Sequence, residues 1–228
     1  MDGLCIITAR GGSKRIPHKN IKEFCGKPII AYSIEAALKS GLFDEVMVST
    51  DDVKIADVAR RYGAAVPFMR SDKTSNDFAT TADVLEEVLD KYEALGNAPE
   101  WFCCLYPTAP FATDAELRGA RSLMLDGAPG VVAVTSFDFP PQRGFATKDD
   151  GSVAYAYPEY ATMRSQDLPQ LTHDCGRFYF NKVDAFRQYH SVVMPGCMPY
   201  YIDPERVQDI DTLDDWAQAE FKWRWINR

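Results

Sequence analysis

The densest chemistry in this sequence lies near its start, in Ala9-Arg10-Gly11-Gly12-Ser13-Lys14-Arg15-Ile16-Pro17-His18-Lys19-Asn20. Paired glycines carry no Cβ, so backbone N–H groups there can turn inward and approach a ligand closely. Arg10, Lys14 and Lys19 add a guanidinium fork and point charges suited to phosphate oxygens. Residues 10–22 hold five basic side chains (Arg10, Lys14, Arg15, Lys19, Lys22) and no acidic one, on a chain whose formal net charge is −8. A cationic loop on an acidic protein points to a small, highly charged anion, and the overall charge argues against nucleic acid or an anionic membrane as partner. The spacing matches neither G-x-x-x-x-G-K-[ST] nor G-x-G-x-x-G. A solvated basic turn is the competing reading.

A second candidate lies near the other end. If Asp209-Ile210-Asp211 is extended, its period of two puts both carboxylates on one side. Two hard oxygen ligands would suit Mg²⁺ bridged to phosphate. The plainer alternative is that Asp211 or Thr212 caps the last helix, and both roles can coexist.

The elements that must position these groups alternate. Leu4–Thr8 reads as a short buried strand. Pro28 suits the first turn of a helix with Ile30, Ile34, Ala37 and Leu38 on one face and Gly41 as its stop. Glu45–Thr50 is a second strand. Asp51 or Asp52 caps a helix that faces inward through Ile55, Val58, Ala59 and Tyr62. Ala65–Met69 reads as a short third strand. Val84, Leu85, Val88, Leu89 and Tyr92 mark a strong helix. Trp101–Tyr106 and Val131–Val134 are apolar enough to be buried strands, and Thr113-x-x-Glu116 is a capping box. The last helix, roughly 212–225, aligns Leu213, Trp216, Ala217, Phe221 and Trp225. This alternation predicts an α/β fold with a mostly parallel, Rossmann-like sheet and ligands at the loops that follow its strands. One domain spans 1–228. Residues 138–175, rich in proline, aromatic and polar side chains, break the rhythm and read as an inserted lobe that closes the site or meets a partner subunit.

Composition narrows the class. Hydrophobic residues make up 46% and charged residues 25%, a globular balance. No apolar run is long enough to cross a bilayer, and no basic-then-apolar leader opens the chain. The six cysteines form no C-x-x-C pair. They read as free thiols in a reducing compartment, so the cytoplasm is the expected location.

The basic loop resembles the signature of the CMP-sialic acid synthetase family, cytidylyltransferases that load nonulosonic acids and the eight-carbon KDO. Ser49-Thr50-Asp51-Asp52, Arg70 with Asp77, Thr80 and Thr81, Pro107-Thr108-Ala109-Pro110-Phe111, Arg164-Ser165-Gln166-Asp167-Leu168 and Asp209-Ile210-Asp211 extend the likeness over nearly the whole chain. The resemblance implies a sheet of the nucleotide-diphospho-sugar transferase type with a small dimerisation lobe, and a homodimer. It implies CTP and a nonulosonic acid as substrates and Mg²⁺ as cofactor. It assigns the triphosphate to Ala9, Arg10, Gly11, Gly12, Ser13, Lys14, Lys19 and Asn20, and the cytidine to the segment holding Arg70, Asp77, Thr80 and Thr81. The metal falls to Asp209 and Asp211.

The sugar acid needs a carboxylate clamp, for which the Arg164 fork is the first candidate and Arg143 the second. Arg143 also reads as a surface salt-bridge partner. Tyr106, Gln166, His173, Asp174 and Tyr179 complete the expected sugar contacts, with His173 positioning rather than attacking, since no G-x-S-x-G occurs. Arg-Ser-Gln-Asp-Leu, Pro158-Glu159-Tyr160 and His173-Asp174 resemble the pseudaminic acid branch, although Pro107 departs from the alanine expected there. Two other readings remain open: a sugar-1-phosphate nucleotidylyltransferase, and a regulatory module that binds nucleotide without turnover.

Overall fold

A computed structural model describes the whole chain, Met1–Arg228. Its centre is a six-stranded sheet in the order β10-β6-β9-β5-β1-β4. The strands are β1 (Gly3–Thr8), β4 (Glu45–Ser49), β5 (Trp101–Leu105), β6 (Gly130–Ser136), β9 (Thr172–Lys182) and β10 (Met198–Tyr201). β1 runs parallel to β4 and β5, and β10 runs parallel to β6. β9 lies antiparallel between β5 and β6. Two short hairpins stand apart: β2 (Glu23–Phe24) with β3 (Lys27–Pro28), and β7 (Phe145–Thr147) with β8 (Val153–Tyr155).

The sheet is covered on both sides, which is why its central strands read as unbroken apolar runs. Cys5, Ile7, Cys103 and Leu105 point to one face, packing with residues of α1 (Ile29–Ser40), α2 (Val53–Arg61) and α5 (Asp114–Leu125). Leu4, Ile6, Phe102 and Cys104 point to the other, against α4 (Thr81–Ala94) and Phe186 of α6 (Val183–Tyr189). Adjacent Cys103 and Cys104 thus sit on opposite faces, and all six cysteines are free thiols. A third cluster, around Phe24, Tyr32, Phe111 and Trp216, seats α7 (Leu213–Ile226). A single-turn helix, α3 (Asp72–Ser75), precedes α4.

Local sequence explains the helix ends. Asp52 caps α2, accepting from Lys54 N–H at 2.7 Å. Thr80, Thr113 and Thr212 each open a helix through a capping box with Asp83, Glu116 and Asp215. α1 stops at Gly41, whose φ of 65° is the left-handed conformation glycine favours.

Three expectations need correction. Ala65–Met69 is no strand: only Ala65 bridges to Met47. Pro67, which has no N–H to give a ladder, stands in this stretch. On α7 the buried residues are Trp216 and Ala219, with Trp223 and Ile226 partly covered; Leu213, Ala217, Phe221 and Trp225 face solvent. Two stripes satisfy helical spacing there, and the edge-on contact of Trp216 with Phe24, at 5.6 Å, is in the buried one. Leu38 of α1 is likewise exposed. The antiparallel β9 and the edge strand β10 had no clear signal in the sequence. Residues 138–171 hold only the β7–β8 hairpin and three 3-10 turns, and 172–175 belong to β9.

Candidate functional site

Loops leaving the C-terminal ends of β1 and β5 meet the segment from Arg70 to the start of α4 at a cleft of about 510 Å³, lined by Arg10, Lys14, Lys19, Arg70, Tyr106 and Asp211 among others. The phosphate-loop candidate is braced from below. Ala9 is buried and donates its N–H to the Ser49 carbonyl at 2.9 Å. Gly11 N–H donates to Asp51 Oδ1 at 2.8 Å, and a Cβ at Gly11 would lie 2.9 Å from the Asp52 side chain. That glycine is therefore required by the close approach of the β4 loop, and its N–H is already committed. Gly12 has open space around it. Asn20, buried, donates from Nδ2 to the Arg10 carbonyl at 2.9 Å and still borders the cleft together with Ser13.

The cations fall into two pairs. Arg10 lies 3.0 Å from Asp77 Oδ1, and Lys14 lies 2.6 Å from Asp77 Oδ2. Arg15 and Lys19 approach Asp211 Oδ1 at 2.8 and 3.5 Å, and Lys19 also donates to the Ile210 carbonyl at 2.6 Å. The hydrogen bond from Lys14 pulls the Asp77 carboxyl below its ordinary pKa. Arg70 forms the floor. It is buried, donates to the Ser49 side chain and carbonyl at 3.1 and 2.6 Å, and burial lowers its pKa.

The α4 wall is equally fixed. Thr80 spends its hydroxyl on Asp83, whose carboxyl its hydrogen bonds pull down to about 2. Thr81 Oγ1 stands 3.4 Å from the Tyr106 hydroxyl. The Tyr106 and Tyr179 rings are 5.5 Å apart, and Tyr179 donates to Asp174 Oδ2 at 2.5 Å. Burial drives the Tyr179 phenol far above its ordinary pKa and raises that of Tyr106 as well, so both hydroxyls stay protonated hydrogen-bonding groups.

Asp174 opens onto a second, neighbouring cavity of about 830 Å³, bordered by Phe137, Phe139, His173, Asp174, Asp209 and Lys222. The two expected metal ligands thus part company: Asp211 lines the cationic cleft and Asp209 the second cavity. Residues 207–211 pair with no strand, so no pleat enforces a shared side for the two carboxylates. No group of three or more His, Cys, Asp or Glu side chains forms a metal cage. A recess formed by Thr108, Phe111, Cys175 and Gln208, among others, lies between the cavities, bordered by residues of both.

Four expected sugar contacts border neither cavity, and one of them, Tyr179, is buried behind Asp174. Arg164 pairs with Asp167 at 2.7 Å, and Gln166 is exposed beside it. Arg143 donates to the Met163 carbonyl, bracing the lobe. Arg164 and Gln166 stand exposed on a turn with no buried residue, and neither they nor Arg143 border a cavity. Conversely, Arg15, Thr8, Thr74 and Asn76 line the cleft without having been singled out as site residues. Arg15 carried a signal, being the fifth cation of the loop; the other three depend on how the chain closes.

Residues 4–122, just over half of the chain, match the family model described as Cytidylyltransferase. The chain is 39% identical over 225 residues to a pseudaminic acid cytidylyltransferase of Campylobacter jejuni, covering 98% of this chain and 97% of that protein. It is 40% identical over 235 residues to a CMP-N,N'-diacetyllegionaminic acid synthase of Legionella pneumophila, covering 95% and 94%. Among solved structures, a CMP:2-keto-3-deoxy-manno-octonic acid synthetase complexed with CTP superposes with a TM-score of 0.72 over 99% of this chain and 100% of that one, at 19% identity, which speaks to fold alone. A 4-diphosphocytidyl-2C-methyl-D-erythritol synthase from Anaerococcus prevotii shares the fold at a TM-score of 0.65 and 16% identity, covering 100% and 99%. Mostly parallel sheet, loop-built cleft and near-complete alignment agree, and the chain belongs to the cytidylyltransferase family.

Proposed function

We propose that the chain transfers CMP from CTP to the anomeric hydroxyl of a nonulosonic acid, with pseudaminic acid as substrate, and releases pyrophosphate. The observation that carries this reading is the convergence of Arg10, Lys14, Arg15 and Lys19 on the cleft that Asp211 also lines. In it the triphosphate lies along the loop, the cytidine over Arg70 and the α4 N-terminus, and the sugar acid toward Tyr106, Tyr179, Asp174 and His173. The hydroxyl oxygen forms a bond to the α-phosphorus as the bond to the bridging oxygen of pyrophosphate breaks, and the hydroxyl proton passes to water or a cleft carboxylate. Such transfer depends on positioning and charge stabilisation. Lys14 and Arg10 steady the departing pyrophosphate, and Arg70 holds the floor rigid.

Magnesium fits the donor set in one form. Mg²⁺ commonly takes one or two carboxylates plus substrate phosphates, and Asp211 offers a hard oxygen in the cleft where the phosphates would lie. Asp209 fits less well because it borders the other cavity. The ion would orient the α-phosphate and offset its growing charge.

The lobe supports a further part of the proposal. It exposes Phe139, Phe145, Val153 and Tyr157 and carries Arg164 away from both cavities of its own chain. In a homodimer these apolar residues would be covered, and Arg164 would clamp the sugar carboxylate in the partner's cleft.

The relative of 40% identity whose name concerns legionaminic acid favours a second sugar. Pyrophosphate release from CTP with Mg²⁺ should be measured with pseudaminic, legionaminic, N-acetylneuraminic and KDO acids and with a sugar 1-phosphate. Turnover is expected with pseudaminic acid. Activity only with the sugar 1-phosphate, or CTP binding without pyrophosphate from any sugar, would overturn the proposal.

A further inference from the structure

We propose that Asp77 is an internal counter-ion of the phosphate loop, competing with the triphosphate for Arg10 and Lys14 and recapturing them as pyrophosphate leaves. The inference rests on reading that loop as a phosphate site. Its geometry is specific: Oδ1 takes Arg10 at 3.0 Å and Oδ2 takes Lys14 at 2.6 Å, one oxygen for each cation, as two oxygens of a phosphate would. No other protein group bonds the Asp77 carboxylate, and neither the Arg10 guanidinium nor the Lys14 ammonium has another protein partner.

The other cation pair differs. Asp211 also bridges two loop cations, but Lys19 is anchored a second time on the Ile210 carbonyl and is only 20% exposed. Lys14 is 78% exposed and Asp77 49% exposed, so their pair can open into solvent without disturbing the core. Exposed pairs of this kind are weakly held.

The backbone that presents Asp77 is fixed even though its side chain is half-exposed. Asn76 accepts from the N–H of Phe78 and Ala79 at 2.8 and 3.0 Å, and its amide donates to the Lys73 carbonyl at 2.7 Å. The carboxylate is thus held at the loop by a short braced turn. A competitor that occupies a site for part of the time lowers apparent affinity by that fraction, and its negative charge beside the site repels phosphate as well. Lys14 keeps the Asp77 carboxyl below its ordinary pKa, so that charge is present at neutral pH.

This role has the opposite sign to that of a nucleotide contact. Binding of inorganic tripolyphosphate to the full chain should be measured by calorimetry in magnesium-free, low-salt buffer, for the wild type, Asp77→Asn, Asp77→Ala, Lys14→Ala and Asp77→Asn with Lys14→Ala. Both Asp77 variants are expected to bind tighter, by up to about fivefold, the range given by the loss of an exposed competing pair. The gain should shrink as salt rises. In the double variant most of it should vanish. Unchanged or weaker binding by both Asp77 variants, while Lys14→Ala still loses affinity, would overturn the competition and leave the phosphate site standing. Wild-type binding that is undetectable, or indifferent to Lys14→Ala, would sink the phosphate reading and this inference with it. A thermal melt of each variant separates these outcomes from misfolding.

Discussion

Arginine and lysine do different work in the cleft and in the lobe. In the cleft, Arg10, Lys14, Arg15 and Lys19 come from ten consecutive residues, and a rigid sheet edge, the Asn20 brace and the buried Arg70 focus them on one space. In the lobe, Arg143 is spent on the Met163 carbonyl and Arg164 on a neighbouring carboxylate. Identical side chains thus gather on one cleft where the sheet converges them, and serve as local braces where short turns carry them. Within one copy of the chain only the first region collects several cations on one space.

The sharpest way to break this contrast is Lys14→Ala. Loss of one preorganised charge-stabilising donor typically costs 10²–10³ in kcat, and about that is expected here in pyrophosphate release. Near-normal turnover would remove Lys14 from the reaction.

The next test separates the two carboxylates. Asp211→Asn should lower kcat by about 100-fold, comparable with losing one stabilising group in the site, and should raise the Mg²⁺ concentration for half-maximal rate. Asp209→Asn should cost about tenfold or less, because its side chain borders the other cavity. Equal losses in rate and in Mg²⁺ dependence would mean that the carboxylates converge when substrate is bound.

Arg164→Lys sharpens the lobe side of the comparison. If Arg164 clamps a carboxylate across a dimer, replacing its fork by a point charge should raise KM for the sugar acid about tenfold, with KM for CTP little changed. Equal effects on both would leave Arg164 as the local brace seen in the single chain.

The smallest effect concerns the footing of the cleft. Burial alone would raise the Glu87 carboxyl, but hydrogen bonds from Lys91, Ser71 and Thr74 bring it down to about 2. A depressed carboxyl stabilises the fold above its unfolded pKa, and that gain fades as pH falls toward the folded value. Glu87→Gln should therefore cost about 2 kcal/mol at pH 7, as for hydrogen bonds to a charged group, and lower Tm by roughly 5 °C. The deficit should shrink below about pH 4.5 and disappear near pH 2. A Tm difference that does not vary with pH would refute the assignment.

How much could be read in advance depended on the range of the forces. Buried strands such as Trp101–Leu105 announce themselves because both faces are covered, and the capping box at Thr113 is short-range chemistry. α7 was ambiguous because two apolar stripes share one helix, and only Phe24 and Tyr32 across the fold select Trp216 and Trp223. Strand β9 was missed because it follows the irregular lobe and runs antiparallel.

The sequence by itself determined the cationic loop, the strand–helix alternation that places a loop where ligands bind, and the residue types able to hold phosphate. These follow from neighbours in the chain. Tertiary structure alone decided that Asp77, more than sixty residues from Arg10 and Lys14, pairs with both, and that Asp209 and Asp211, two residues apart, border different cavities. Such pairings depend on how the sheet, α4 and the 207–211 segment close around one another. No local periodicity carries that information.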